Sequence, residues 1–147
     1  MNNIKFIEER GFVKSFTGFV SENEAVINIV AGGKAGCSDV IYIYINKENG
    51  AVEYVGETKK TAIERSTTDH WTPYNSCVKG GMVNSSKTWV TKWRDVMVGV
   101  SFDIYVKEAG EMEIIEGEPK ISTRKVEEVA YINKFWNRIN REWKNKQ

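Results

Sequence analysis

This sequence predicts an α+β domain: a small central antiparallel sheet of three core strands, flanked by helices and preceded by an N-terminal β extension. Three stretches predict it. Between Val40 and Val55, Ile41, Ile43 and Ile45 alternate with Tyr42 and Tyr44, turn formers crowd Asn46–Gly50, and Ala51–Val55 returns as a second apolar run, which reads as a hairpin. From Val100 to Val106, Phe102 and Ile104 continue an apolar set that alternates with Ser101, Asp103 and Tyr105, a third strand. From Arg124 to Lys144, Ile132, Phe135 and Ile139 recur on one side of a helix.

Taken in order, the chain begins with short β segments at Ile4–Ile7, Gly11–Val20 and Ala25–Val30. Ala31–Gly36 (AGGKAG) lacks the Gly-x-x-x-x-Gly-Lys-Ser/Thr spacing of a phosphate cradle and reads as a connector. After the hairpin, Thr61 and Glu64 fit a capping box, so a helix starts near Ala62 and carries Arg65 in its first turn. Pro73 is expected to end that helix, because the residue before a proline avoids helical backbone. Residues 74–84 contain Gly80-Gly81 and read as a loop. Ser85-Ser86-Lys87 then open a second helix, whose buried stripe is Trp89, Trp93, Val96 and Met97, core residues rather than stacking platforms. The expected layout is one domain over 1–147, with an extension over 1–39, a core over 40–140 interrupted by an insertion at about 71–86, and a basic tail over 141–147.

Composition narrows the class. A chain of 147 residues with 41% apolar content can bury a real core. No apolar run is long enough to span a bilayer, and MNNIKFIEER is no signal segment, so the expected setting is the cytoplasm, without membrane association. Two cysteines, Cys37 and Cys77, make no disulfide framework and no Cys/His zinc pattern. Net charge is only +1, yet it is unevenly placed. Residues 120–147 hold eight cations against three acids, whereas 108–118 hold five glutamates and no cation. One face could therefore meet a phosphate backbone while another stays acidic, or the helix could simply be solvated.

The hairpin and its following helix resemble the core of the GIY-YIG nuclease superfamily. Val40-Ile41-Tyr42 matches the Gly-Ile-Tyr motif, with Val40 replacing the glycine as in some phage members, and Tyr54-Val55-Gly56 matches Tyr-Ile-Gly. Glu57-Thr58-Lys59 stands where that family often has Gln/Lys-Thr-Lys, and Arg65 where it has a helical arginine. Glu128 and Asn140 are spaced like its metal-binding glutamate and late asparagine, so the resemblance runs from Asp39 to Asn140. It implies an endonuclease that hydrolyses double-stranded DNA with Mg²⁺, or Mn²⁺ as a substitute, and works as a homodimer or homotetramer. The implied catalytic group is Tyr42, Tyr54, Arg65, His70 and Glu128, with Glu128 on the metal and Gly56, Lys59, Lys60, Lys87 and Asn140 toward DNA. The compact chain is most similar to stand-alone phage members, which degrade host DNA in the host cytoplasm. A type II restriction enzyme, or a non-catalytic binding module on the same scaffold, are the alternatives.

Three points of geometry follow. A two-residue turn at Asn49-Gly50 would put Tyr42 and Tyr54 on opposite sheet faces. A shared site therefore requires a three- or five-residue loop, or a bulge with Gly50 at positive φ, placing Tyr42 opposite Tyr54. Adjacent glutamates point about 100° apart on a helix. Glu128 shares its side with Tyr131, Ile132, Phe135 and Ile139, where a carboxylate needs a metal or a salt bridge to Arg65, and Glu127 lies on a more solvated side as the fallback ligand. His70 is the only histidine and a natural base by pKa, but the family's helical histidine usually lies four residues after the arginine and His70 lies five. Five residues keep one helical face only if the helix ends or bulges between them, so His70 reads either as a base or as a surface histidine.

Overall fold

Val40 to Ile45 are all buried, the tyrosines packing to one side of their strand and the isoleucines to the other. The computed structural model that places them describes residues 2–79, 96–137 and 139–141. Its elements are α1 (Asn3–Glu8), β1 (Val13–Val20), β2 (Ala25–Ile29), β3 (Ser38–Asn46), β4 (Val52–Thr61), a π-helix (Glu64–Trp71), α2 (Thr72–Lys79), β5 (Ser101–Glu108), a small hairpin of β6 (Glu111–Met112) and β7 (Ile121–Ser122), and α3 (Arg124–Lys134). The fold is α+β. Five antiparallel strands run β2-β1-β5-β3-β4, so the three core strands stand together at one end and the N-terminal strands extend the same sheet.

Both faces of β3 are covered. Tyr42 and Tyr44 lie with Phe16, Phe102, Ile104, Trp71 and Tyr74, on the side of the π-helix and α2. Ile41, Ile43 and Ile45 pack with Ile7 and Phe12 from the N-terminal segment and Ile132 and Phe135 from the C-terminal one. Each buried side chain of this size contributes roughly 1.5–3 kcal/mol of transfer free energy, which makes β3 the thermodynamic centre of the domain.

Several local expectations need correction. Ile4–Ile7 is helical: the Asn2 side chain accepts the Lys5 amide at 3.1 Å, and this N-cap, with Ile7 buried below, outweighs a short apolar run. Pro73 stands in the first turn of α2, where its missing N–H costs nothing, so residues 74–79 are helix rather than loop. The C-terminal helix stops at Lys134, because Phe135 leaves helical backbone at φ −118°, ψ 65°, and helix resumes at 139–141. The acidic stretch folds back as the β6–β7 hairpin, pairing Met112 with Ile121. The helix expected from Ser85, with Lys87, Trp89 and Trp93, lies outside the described residues apart from Val96 and the buried Met97. No helix among the described residues is long and apolar enough to cross a membrane.

Candidate active site

The β3–β4 connection settles the placement of the phenols. The register shifts between Tyr44 and Ile45, and Gly50 takes φ +70° in the loop, as a bulged hairpin requires. Tyr54 is consequently the cross-strand partner of Tyr44, and Tyr42 faces Gly56, one pair away from the expected match. All three tyrosines still share one face, with ring centroids of Tyr42–Tyr54, Tyr44–Tyr54 and Tyr42–Tyr44 at 6.1, 6.0 and 6.1 Å.

Gly56 belongs to this arrangement. It is buried beneath the Tyr42 ring, and a Cβ there would lie 2.4 Å from the phenol oxygen and 2.5 Å from Cζ. Only a glycine leaves room for the ring.

Thr61 starts the next element, its hydroxyl accepting the Glu64 amide at 3.2 Å, half of the expected capping box. The helix then takes the π form from Glu64 to Trp71, whose i→i+5 bonding matches the spacing of Arg65 and His70. His70 is only 8% exposed, with its ring 6.0 Å from Tyr42 and 6.3 Å from Tyr54. It is not a surface histidine. Burial, and then the Arg65 charge, push it down to about 3, while Asp69 pulls weakly the other way.

Arg65 donates from Nη2 to the buried Thr58 hydroxyl at 3.3 Å, and its Nε lies 3.6 Å from Asp69. The Asp69 carboxylate also receives Lys60 at 3.2 and 3.3 Å. Lys59, between Thr58 and Lys60 on β4, is exposed. Burial first, and then Tyr54, raise the Tyr42 phenol well above its ordinary value, with Tyr44 and Glu128 adding to the rise and Arg65 opposing it. Burial followed by the Glu128 charge raises Tyr54 to about 12, against the pull of Arg65 and a hydrogen bond shared with Tyr42. Both phenols are protonated donors at neutral pH.

The two glutamates part company. Glu127 accepts from Lys107, from the Gly110 amide at 2.8 Å and from the Thr123 hydroxyl at 2.7 Å. Burial works to raise its pKa, but these donors outweigh it and hold the carboxyl below the usual range. Glu127 therefore fastens α3 to β5. Glu128 is half-buried, and its charge reaches both phenols.

Asn140 is committed within the fold. β4 is the sheet edge, and the Asn140 amide closes it: Oδ1 accepts the Val55 N–H at 2.9 Å and Nδ2 donates to the Val55 carbonyl at 2.9 Å, with the side chain buried. It acts as a one-residue strand against the Tyr54-Val55-Gly56 segment. Lys87 lies outside the described residues.

Two members of the cluster were not singled out in the sequence. Tyr44 accepts the Trp71 indole N–H at 3.1 Å, and Trp71 stacks on Phe102 with centroids 5.6 Å apart. Period-2 alternation already put Tyr44 on the face of Tyr42, whereas the π-helix that delivers Trp71 left no sequence signal. Among the described residues no group of three or more His, Cys, Asp or Glu side chains could hold a metal. The Glu128 carboxylate is a hard oxygen donor, which suits Mg²⁺ if water and phosphate oxygens complete the shell.

No family model matches the sequence, and no curated protein sequence does. Two endonucleases are among the solved structures of similar fold. Bacteriophage T4 EndoII, solved as a mutant, has a TM-score of 0.58 and 17% identity, over 93% of this chain and 97% of that one. Restriction endonuclease HPY188I, solved with product DNA, has a TM-score of 0.50 and 12% identity, over 92% and 79%.

Proposed function

We propose that this chain is a DNA endonuclease of the GIY-YIG superfamily, of the degradative phage type, working with Mg²⁺ or with Mn²⁺ in its place. The observation that supports it is the gathering of Tyr42, Tyr54, Arg65, His70 and Glu128, from three separate segments, beside one end of a sheet shared with two proteins named as endonucleases. Phosphodiester hydrolysis needs about 20 kcal/mol of transition-state stabilisation. Water bonds to phosphorus as the P–O3′ bond breaks, the proton lost from the water passing to solvent and solvent returning one to the 3′ oxygen. Arg65 clamps the scissile phosphate, with Lys59 and Lys60 steering the strand toward it. The protonated phenols of Tyr42 and Tyr54 orient phosphate and water by donating hydrogen bonds. Neutral His70 supports them through its ring contacts. Glu128 would hold Mg²⁺, which would supply positive charge for the leaving oxygen and offset only the part of the phenol shifts that the Glu128 charge adds to burial.

Cutting both strands calls for two sites, and a homodimer or homotetramer of this chain supplies them. A plasmid-nicking assay with Mg²⁺ or Mn²⁺ tests the reading. The parent converts supercoiled DNA, whereas Glu128→Ala and Arg65→Ala each lose on the order of 10²-fold or more. Supercoiled DNA left untouched with both metals sinks the enzyme and leaves a binding module. The fold of a restriction endonuclease bound to product DNA favours a second reading, a type II restriction enzyme, and sequencing the cut ends separates the two by whether one short site recurs.

A further inference from the structure

Arg124 is the first residue of α3, and a cation at a helix N-terminus opposes the helix dipole. Thr123, in the N-cap position, makes no capping bond, its hydroxyl going to Glu127, while the Ser122 hydroxyl accepts the Arg124 amide at 3.1 Å. Two long-range ion pairs offset the unfavourable placement of the Arg124 charge. The guanidinium donates from Nε to Glu57 and from Nη1 to Asp39, and the side chain is only 14% exposed. Asp39 is itself held, alone among the described non-glycine residues, at positive φ (56°), and its carboxylate also accepts the Ser122 hydroxyl at 2.8 Å.

These anchors lie on the strands that carry the phenols. Asp39 is three residues before Tyr42 on β3, and Glu57 three after Tyr54 on β4. Glu128 follows Arg124 by four residues, one helical turn further and within about 40° of the same side. We propose that Arg124 is a positioning residue: its fork fixes the first turns of α3 to β3 and β4 and so sets where the Glu128 carboxylate lies relative to those strands. This deepens the nuclease reading and rests on it. A carboxylate displaced by 1 Å costs on the order of 10²-fold in rate.

The test compares the parent with Arg124→Ala and Arg124→Lys, measuring kcat and KM on plasmid DNA, melting temperature, and amide hydrogen exchange along α3 without metal. Arg124→Ala lowers kcat by on the order of 10²-fold with KM held within about threefold, and exchange quickens over the first two turns of α3. Arg124→Lys recovers part of kcat, since a point charge serves one carboxylate at a time. If Arg124→Ala does not fold, Glu57→Gln removes one arm and gives a smaller loss of the same kind. Unchanged exchange in α3, or a rise in KM at parental kcat, overturns the proposal, as does Glu57→Gln at parental kcat. A parent that leaves DNA uncut while exchange quickens in Arg124→Ala convicts the nuclease reading and not the hold on α3.

Discussion

Arg65 and His70 lie five residues apart and one turn apart, because the helix that carries them is a π-helix. In an α-helix the same spacing would leave them about 140° apart, one facing the tyrosines and the other turned away. The π form brings the His70 ring beside both Tyr42 and Tyr54, while the Arg65 charge acts on all three.

Removing one residue between them tests that relation. With Thr67 deleted, an ordinary α-helix keeps Arg65 and His70 one turn apart. We expect nicking activity within about tenfold of the parent and an equal or higher melting temperature. Loss of activity as deep as that of Arg65→Ala would show that the wide turn itself shapes the site.

His70 gives the fold an acid sensitivity of definite sign. Its folded value of about 3 lies below the ordinary 6.5, so protonation favours the unfolded chain. The contribution is whole above pH 6.5 and drains away between 6.5 and 3. Urea unfolding at pH 7 and pH 5 is expected to differ by about 2 kcal/mol in the parent and by much less in His70→Gln. Glu127, whose carboxyl is held low, adds its own loss only at more acidic pH, so equal pH 7-to-5 losses in parent and variant would contradict the buried neutral imidazole.

Gly56→Ala pushes a methyl group into the Tyr42 ring. Overpacking of this kind costs about 1–3 kcal/mol, and the displaced phenol lowers kcat by on the order of 10²-fold. A variant with parental melting temperature and parental kcat would show that the ring has room to move.

Asp69 occupies Lys60 and Arg65 in the free protein, where a phosphate would otherwise draw both cations. Asp69→Asn is expected to tighten DNA binding by about threefold to tenfold at moderate salt, read by fluorescence anisotropy in EDTA. Weaker binding would mean that the carboxylate orients Arg65 more than it competes with DNA.

Much of this was legible in one dimension. Alternation in β3 announced two faces, and the parity of the turn required a bulge for Tyr42 and Tyr54 to share one. Thr61 marked where the following helix begins. These signals are local, carried by side-chain period and by turn and cap chemistry within a few residues. Tertiary structure decided what depends on distant partners. Lys107 and Gly110 take Glu127, Val55 takes the Asn140 amide, and Asp39 and Glu57 join at Arg124. Period and spacing say which way a side chain points, but a carboxylate or an amide is committed only by the donors and acceptors that folding brings within about 3 Å.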